Sequence, residues 1–553
     1  MEVEEWQQAQ RLTPEKRDLA YKVLKDIQAG IDPFAAIRRH PIPGGGYLAK
    51  SLLISAYNSL VQRGEIKAET DLLAKIRMKP VRTLSGVTTV TVLTKPYPCP
   101  GRCVFCPNEE NMPKSYLADE PGAMRGVQNQ FDPYLQVSTR LQSLEAVGHP
   151  TDKIELLILG GTWTAYPRDY QEWFVQRCFD AMNGSDSHSL EEAQLVNERA
   201  AHRNVGLVLE TRPDEINQEE IVWLRRLGAT KVQLGAQSLD DTILARNLRG
   251  HSALDTLRAA ALLRAAGFKI VLHWMPNLLG ATPETDRTDF NRLWASLKQG
   301  GGYAPDEIKI YPTQLLKTAD LYQFWKRGEY RPYDMDELVA LLADLKPGIP
   351  PYCRVNRVIR DIPSPHVVAG NKRTSLRQDV LAELERRGQR CGCIRCREVR
   401  GQKIVRETLR LEDYLYYPAY AEEHFLHYLT PEGQIAGYLR LSLPMMRLSD
   451  PHEYSLELFE TSLLDVSRWL PELEGAALVR EVHVYGQSLP VGHDQAGAAQ
   501  HQGLGTSLLD QASRIAHQRG FQRLAVISAV GTRLYYEKRG FERGDLYMIK
   551  QLE

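Results

Sequence analysis

Apolar residues recur at three- and four-residue spacing over 14–28 and 48–63, which predicts two amphipathic helices. Pro41-Ile-Pro-Gly-Gly-Gly46 breaks the pattern between them. From residue 83 the pattern changes. An alternating strand is predicted over 87–93, followed by short apolar strands at 154–159, 205–210, 231–236, 269–274 and 307–311, with helical stretches between. Each crossover has room for a helix, so the sheet is expected to be parallel. Lys346-Pro-Gly-Ile-Pro-Pro351 marks a boundary, and a helix is predicted over 376–387. Past residue 401, alternating strands at 420–429 and 435–443 flank Thr430-Pro-Glu-Gly433, a hairpin signal. A strand at 478–485, a helix at 507–519, a strand at 523–528, a helix at 532–539 and a strand at 547–551 follow. The pattern predicts an α/β multidomain chain divided at 1–82, 83–345, 346–400 and 401–553.

Composition narrows the function classes. The chain has 553 residues, too many for one core. Lys+Arg 69 balances Asp+Glu 69, so a nucleic-acid surface has to be a local patch. From Arg38 to Arg82 there are nine Lys/Arg, among them Arg38, Arg39, Lys75, Arg77, Lys79 and Arg82, against three acids. That segment is where a phosphate backbone could dock, and a solvated helical face explains it equally well. The acidic start is no signal peptide, and no apolar run reaches membrane-spanning length, so no membrane is expected. Six of the eight cysteines fall in two tight clusters. That is metal-site usage in a reducing compartment, and the expected location is cytoplasmic.

The first cluster, Cys99-Pro-Gly-Arg-Cys103-Val-Phe-Cys106, reads C-x3-C-x2-C in the loop after the first barrel strand. Three close thiolates suit one soft metal centre, and no fourth cysteine is near. Cys178, inside a helical pattern, is expected in the core. A three-ligand four-iron cluster keeps one iron open to substrate; a zinc knuckle or a redox pair is the competing reading. The spacing resembles the signature of the radical S-adenosylmethionine (SAM) superfamily, which implies a 4Fe-4S cluster chelating SAM and a partial (β/α) barrel. Gly160-Gly161-Thr162-Trp163 resembles that family's glycine motif, with Thr162 where many members carry an acid. In α/β barrels the chemistry sits at the C-terminal ends of strands. Glu210 and Arg212 end one strand, and Gln237 and Ser238 end the next, as further SAM-binding candidates. His273-Trp-Met-Pro-Asn277 and Lys309-Ile-Tyr-Pro-Thr313 end two more and are expected to line the cavity.

The second cluster, Cys391-Gly-Cys393-Ile-Arg-Cys396, offers three thiolates in six residues, flanked by Arg390, Arg395, Arg397 and Arg400. This suits a structural zinc that still needs a fourth ligand. Cys353 or a distant histidine could supply it. Free thiols or a second iron–sulfur cluster are the other readings.

In the C-terminal segment, Gln500-His-Gln-Gly503-Leu-Gly505-Thr506 lies between a strand and a helix. Glycines allow backbone approach to a pyrophosphate, and a helix start offers it unpaired N–H groups. The order of elements resembles the GNAT acetyltransferase fold. That resemblance implies acetyl-CoA held by Gln502, Gly503, Leu504, Gly505 and Thr506, and by the preceding strand at Glu481, Val482, His483 and Val484. It places Tyr535 and Tyr536 near the thioester, where a hydroxyl could protonate a departing thiolate.

A radical SAM barrel fused to an acetyltransferase resembles the family of Elongator catalytic subunits, in its bacterial or archaeal single-chain form. Asp152-Lys153-Ile-Glu-Leu, Arg360-Asp-Ile-Pro363, Glu481-Val-His-Val-Tyr-Gly486 and Val530-Gly-Thr-Arg533 carry the likeness. It implies a tRNA anticodon arm as partner and Lys153 as an acetyl-CoA contact from the barrel side. It implies that a deoxyadenosyl radical takes hydrogen from the acetyl methyl group. The resulting carbon adds to carbon 5 of the wobble uridine, position 34, and thioester hydrolysis leaves 5-carboxymethyluridine. The runner-up is a protein lysine acetyltransferase that uses the barrel as a scaffold, with Glu481 as base. A homodimer is left open.

Overall fold

The computed structural model describes residues 12–43, 45–67, 69–78, 83, 85–400, 402, 404–444, 464–486 and 503–553. Both predicted N-terminal helices form, as Pro14–Gln28 and Lys50–Gln62. Thr13 caps the first through the backbone of Lys16, and Pro14 takes the N1 position, where its missing N–H costs nothing. Two short helices that the spacing does not reveal, Pro33–Arg39 and Thr70–Ile76, complete a small helical core around Val23, Ile27, Leu53 and Ile54.

The barrel sheet has seven parallel strands in sequential order: β1 Thr88–Leu93, β2 Lys153–Leu159, β3 Arg203–Thr211, β4 Lys231–Gln237, β5 Lys269–Trp274, β6 Glu307–Ile310 and β7 Arg354–Arg357. β7 lies beyond the Pro-rich boundary, so the sheet continues into the 346–400 segment. Its four residues have a mixed pattern too short to predict a strand; β7 exists because β6 offers it a ladder. β1 and β7 do not pair, and the curled sheet stays open between them. Its outer face is packed with Val90, Leu156, Ile158 and Leu209 under helices such as Arg168–Asn183, whose Cys178 is fully buried as expected.

The C-terminal sheet runs β8–β9–β10–β11–β12–β13, with a two-residue edge strand at Glu542–Arg543. Its members are β8 Arg410–Tyr416, β9 Ala421–Leu429, β10 Ile435–Pro444, β11 Ala476–Val484, β12 Arg523–Val526 and β13 Met548–Gln551. β8, an edge strand, is the one long strand of this sheet that the sequence pattern does not predict. β11 and β12 are parallel and pair only from Ala476 to Val479. Beyond Val479 they part, so the end of β11 faces an opening. A bulge opposite Arg440 and Leu441 sets Arg480 out of register there.

This sheet packs on the N-terminal ends of the barrel strands. Arg480 bonds the Phe268 carbonyl and Asp306, Arg440 bonds the Tyr352 carbonyl and Asp306, and the Tyr547 hydroxyl donates to the Ala266 carbonyl. Arg480, Asp306, Glu423 and Arg264 are fully buried. Buried ion pairs of this kind fix geometry more than they add net stability.

Candidate functional site

The cysteine loop leaves β1 at the C-terminal end of the barrel. Arg249 donates to Cys103 Sγ at 3.3 Å, the Gly101 N–H faces Cys99 Sγ at 3.4 Å, and the Thr162 hydroxyl lies 3.5 Å from Cys99 Sγ. A hydrogen bond from Cys106, together with the charges of Arg249 and Arg212, holds the Cys103 thiol down at about 5 against its burial. These are the surroundings of a thiolate ligand. Cys391, Cys393 and Cys396, by contrast, put their sulfurs within 4.8 Å of one another, the spread a single ion needs; among the described residues they form the one such group. The first triad is more widely spaced, as a larger cluster requires. Its residues fit the cluster: donors already point at two of the three sulfurs, and Arg212 Nη1 is buried beside the loop without a partner.

The SAM candidates divide in the structure. Gly160, with φ at 146°, would drive a Cβ into Thr94 Oγ1, so only glycine fits. Gly161 follows at φ 94°. Glu210 lines the cavity, accepting from Tyr116 at 3.3 Å, and burial raises its carboxyl despite Lys309 and Arg360 nearby. Gln237 sits at φ 69° with its side-chain oxygen buried and unpartnered. Arg212 forks onto Asp214 at 2.7 and 3.0 Å and bonds the Arg249 carbonyl. The Ser238 hydroxyl donates to Asp289 at 3.0 Å and accepts from Asp240 N–H, so it is held in the turn that follows β4.

One cavity of about 1740 Å³ reaches from Cys106, Glu210 and His273 at the C-terminal end of the barrel to Glu481, Tyr535 and Tyr536 of the C-terminal domain. Both later strand-end motifs line it, through His273, Met275, Lys309, Tyr311 and Thr313. His273 accepts or donates at 2.9 Å with Gln233, to which Lys309 also donates. Burial brings the Lys309 amine down to about 8 and keeps His273 well below its usual value, hence neutral. Sequence reasoning gives neither Lys309 nor the cluster donor Arg249 a specific role. Each is an isolated basic residue whose partner is distant in the chain.

At the other end, Gly503 adopts φ 71° and starts the helix Leu504–Gln518. A Cβ on Gly505 would lie 2.5 Å from the Tyr535 hydroxyl, so the glycine keeps the helix start open. Arg539 covers the Tyr535 ring at 3.5 Å and donates to Thr506 at 3.0 Å, putting a cation beside the free N–H groups. Gln502 lies outside the described residues. Lys153, Val482, His483 and Val484 line the same cavity. Burial lowers the Lys153 amine and brings His483 to about 4, leaving a neutral imidazole stacked on Tyr438. Tyr536 is buried against Phe541, its hydroxyl raised by burial and therefore protonated.

Glu481 does not suit the role of base. Lys269 Nζ stands 2.5 Å from Oε1, Arg440 Nε 2.9 Å from Oε2, and the Tyr438 hydroxyl donates at 2.9 Å. Although burial opposes it, these cations bring the carboxyl down to about 2. A carboxylate that weakly basic takes no proton at neutral pH.

The remaining candidates also divide. Cys353 is buried and stands outside the group of three thiols. Lys346, fully buried with an unpartnered amine, acts electrostatically on all three. Arg397 is tied to the Gly392 and Pro351 carbonyls, whereas Arg395 and Arg400 line the cavity. In the N-terminal segment Arg38 and Arg39 end a helix and Lys75 lies in another. Arg77 donates through Nε to the Gly148 carbonyl at 2.7 Å and so ties the segment to the barrel. Lys79 and Arg82 lie outside the described residues.

Residues 97–290 match the radical SAM superfamily and 305–386 the radical SAM C-terminal domain. The chain is 40% identical to the tRNA uridine(34) acetyltransferase of Methanocaldococcus jannaschii, covering 87% of each chain. It is 34% identical to human Elongator complex protein 3, again covering 87% of each. The chain belongs to the Elongator complex protein 3 family. Among solved structures, the Methanocaldococcus infernus Elp3 with an N-terminal deletion superposes with a TM-score of 0.70 at 36% identity, covering 85% of this chain and all of that one. The family's barrel accounts for the curled parallel sheet, and the family match implies a 4Fe-4S cluster and SAM at the C-terminal end of its strands. No helix among the described residues is long and apolar enough to cross a membrane.

Proposed function

We propose that this chain modifies the wobble uridine of tRNA, joining the acetyl carbon of acetyl-CoA to carbon 5 by radical SAM chemistry to give 5-carboxymethyluridine. The observation that carries the reading is the single cavity joining the three-cysteine loop to the glycine-opened helix start of the C-terminal domain. Cys99, Cys103 and Cys106 would hold the cluster, with Gly160, Gly161, Glu210, Arg212 and Gln237 around SAM. When bound, cluster and SAM together supply hydrogen-atom abstraction.

The chain's own residues position everything else. The N–H groups of Gly505 and Thr506, with Arg539, suit the CoA pyrophosphate. The parted end of β11, from Glu481 to Val484, suits the pantetheine arm, with Lys153 opposite it. Protonated Tyr536 or Tyr535 suits donation to the departing CoA thiolate. Three thiols at Cys391, Cys393 and Cys396 suit a structural zinc that ties β7 to the C-terminal domain. Arg38, Arg39 and Lys75, with Arg395 and Arg400 of the cavity lining, suit the anticodon-arm phosphates, and an unpaired base can be splayed into the cavity. Plain lysine acetyl transfer is disfavoured because two cations leave Glu481, its expected base, too weakly basic to take a proton at neutral pH.

The test is anaerobic turnover with reconstituted cluster, SAM, dithionite, tRNA and carbon-labelled acetyl-CoA. Nucleoside digestion is expected to give a labelled carboxymethyluridine. Label on protein lysines with none in tRNA would reverse the choice.

A further inference from the structure

The barrel interior is not packed as a core. In closed (β/α) barrels the inward positions carry layers of branched apolar side chains. Here the inward positions of β2 to β6 carry two groups of polar side chains, with Leu157, Leu159 and Val208 as the apolar residues among them. The lower holds Glu155, Lys231, Lys269 and Glu307; the upper holds Glu210, Gln233, His273 and Lys309.

The lower layer is charge-paired throughout. Lys231 stands 2.6 Å from Glu155 and 3.3 Å from Glu307, and Lys269 bridges Glu307 at 3.4 Å to Glu481 at 2.5 Å. Buried pairs like these add little stability for the desolvation they cost, so a packed apolar lumen would serve folding at least as well. The cluster loop lies at one end of this lumen and the C-terminal domain covers the other, while the cavity runs through both layers.

We propose that the barrel lumen is the passage by which the acyl-thioester arm reaches the radical site, with Lys231, Lys269, Glu155 and Glu307 as its polar waist. The occupant follows from the charges. An uncharged arm bearing amides and a thioester finds N–H donors on two lysines and acceptors on two carboxylates. A phosphate would meet those carboxylates, and a nucleobase enters more simply through the open side between β1 and β7. This inference rests on the acetyl-CoA reading above.

The test plugs the lumen away from the proposed binding residues. Leu157 on β2 and Thr89 on β1 face the cavity and carry no proposed role. Leu157→Trp and, independently, Thr89→Trp are made, with Leu157→Ala as the unplugged control. Three readings are taken on the reconstituted full chain: 5′-deoxyadenosine formed from SAM and dithionite alone, acetyl-CoA binding by calorimetry, and deuterium passed from methyl-deuterated acetyl-CoA into 5′-deoxyadenosine in the presence of tRNA. The expected result is that folded tryptophan variants keep the first two within about twofold and lose deuterium transfer at least tenfold, while Leu157→Ala keeps all three. Undiminished transfer in either folded tryptophan variant overturns the passage alone. Absence of transfer in the parent chain overturns the acetyl-CoA reading and the passage with it.

Discussion

Lys269, at the start of a barrel strand, ion-pairs with Glu481 of the C-terminal domain at 2.5 Å, and both side chains line the shared cavity. Each side chain comes from a different domain, so the pair is also an interdomain bond. Removing the lysine leaves a buried carboxylate with Arg440 as its remaining cation. Lys269→Met is therefore expected to destabilise the chain by about 3–5 kcal/mol. The pH dependence has a definite sign. Glu481 is depressed from 4.5 to about 2 in the fold, so its contribution is present above pH 4.5 and is lost as pH falls towards 2. In Lys269→Met that window moves upward. Urea unfolding measured from pH 3 to 7 checks both; unchanged midpoints across the series would contradict the role given to the pair.

Gly160→Ala is expected to abolish SAM-dependent 5′-deoxyadenosine formation, because the new Cβ runs into Thr94 Oγ1. Adding Thr94→Gly relieves the clash but not the backbone angle of 146°, so the double variant is expected to recover little. Full recovery would make the clash, and not the backbone, the reason for glycine.

The N-terminal basic residues separate by experiment as they do by structure. Lys75→Ala is expected to lower the salt dependence of tRNA binding by about 0.7–0.9 in log–log slope for each phosphate left unneutralised. Arg77→Ala is expected to lower thermal stability, because its hydrogen bond to the Gly148 carbonyl disappears. Filter binding over a salt series and a melting curve give the two readings, and the reverse assignment would overturn this division.

The second cysteine cluster has its own test. Cys393→Ser is expected to remove bound zinc and to lower thermal stability, as loss of a structural metal does. Lys346→Met is expected to weaken zinc binding, because the buried cation that favours the thiolate forms of all three cysteines is lost. Metal analysis and competition with a chromogenic chelator decide it. Equal zinc affinity in Lys346→Met would leave that buried amine without a part in the site.

How much of the fold and site is legible in the sequence depends on the kind of residue. Local spacing reveals the two cysteine clusters, the strand ends carrying Gly160 and Glu210, and the glycines opening the last long helix, because each motif is contiguous. The barrel strands are legible from their outward apolar faces. Their inward faces are legible too, in principle, as the alternation Glu155-x-Leu157, Lys231-x-Gln233 and Glu307-x-Lys309, which departs from the apolar pattern of a packed barrel. Ion pairs such as Lys269–Glu481 are not legible, since nothing local links positions 212 residues apart. The same limit hides the cations around Glu481 and the Gly148 carbonyl that Arg77 holds, because these partners come from other parts of the fold.

The proposed function requires the acetyl methyl group to meet the radical site within the shared cavity, and one measurement reports that meeting directly. Methyl-deuterated acetyl-CoA, SAM, dithionite and tRNA are supplied to the reconstituted chain, and the 5′-deoxyadenosine formed is weighed. Deuterium in that product, dependent on tRNA and absent in Cys103→Ala, is the predicted result. Unlabelled 5′-deoxyadenosine with CoA still released would contradict it, leaving the two ends of the cavity with separate chemistries.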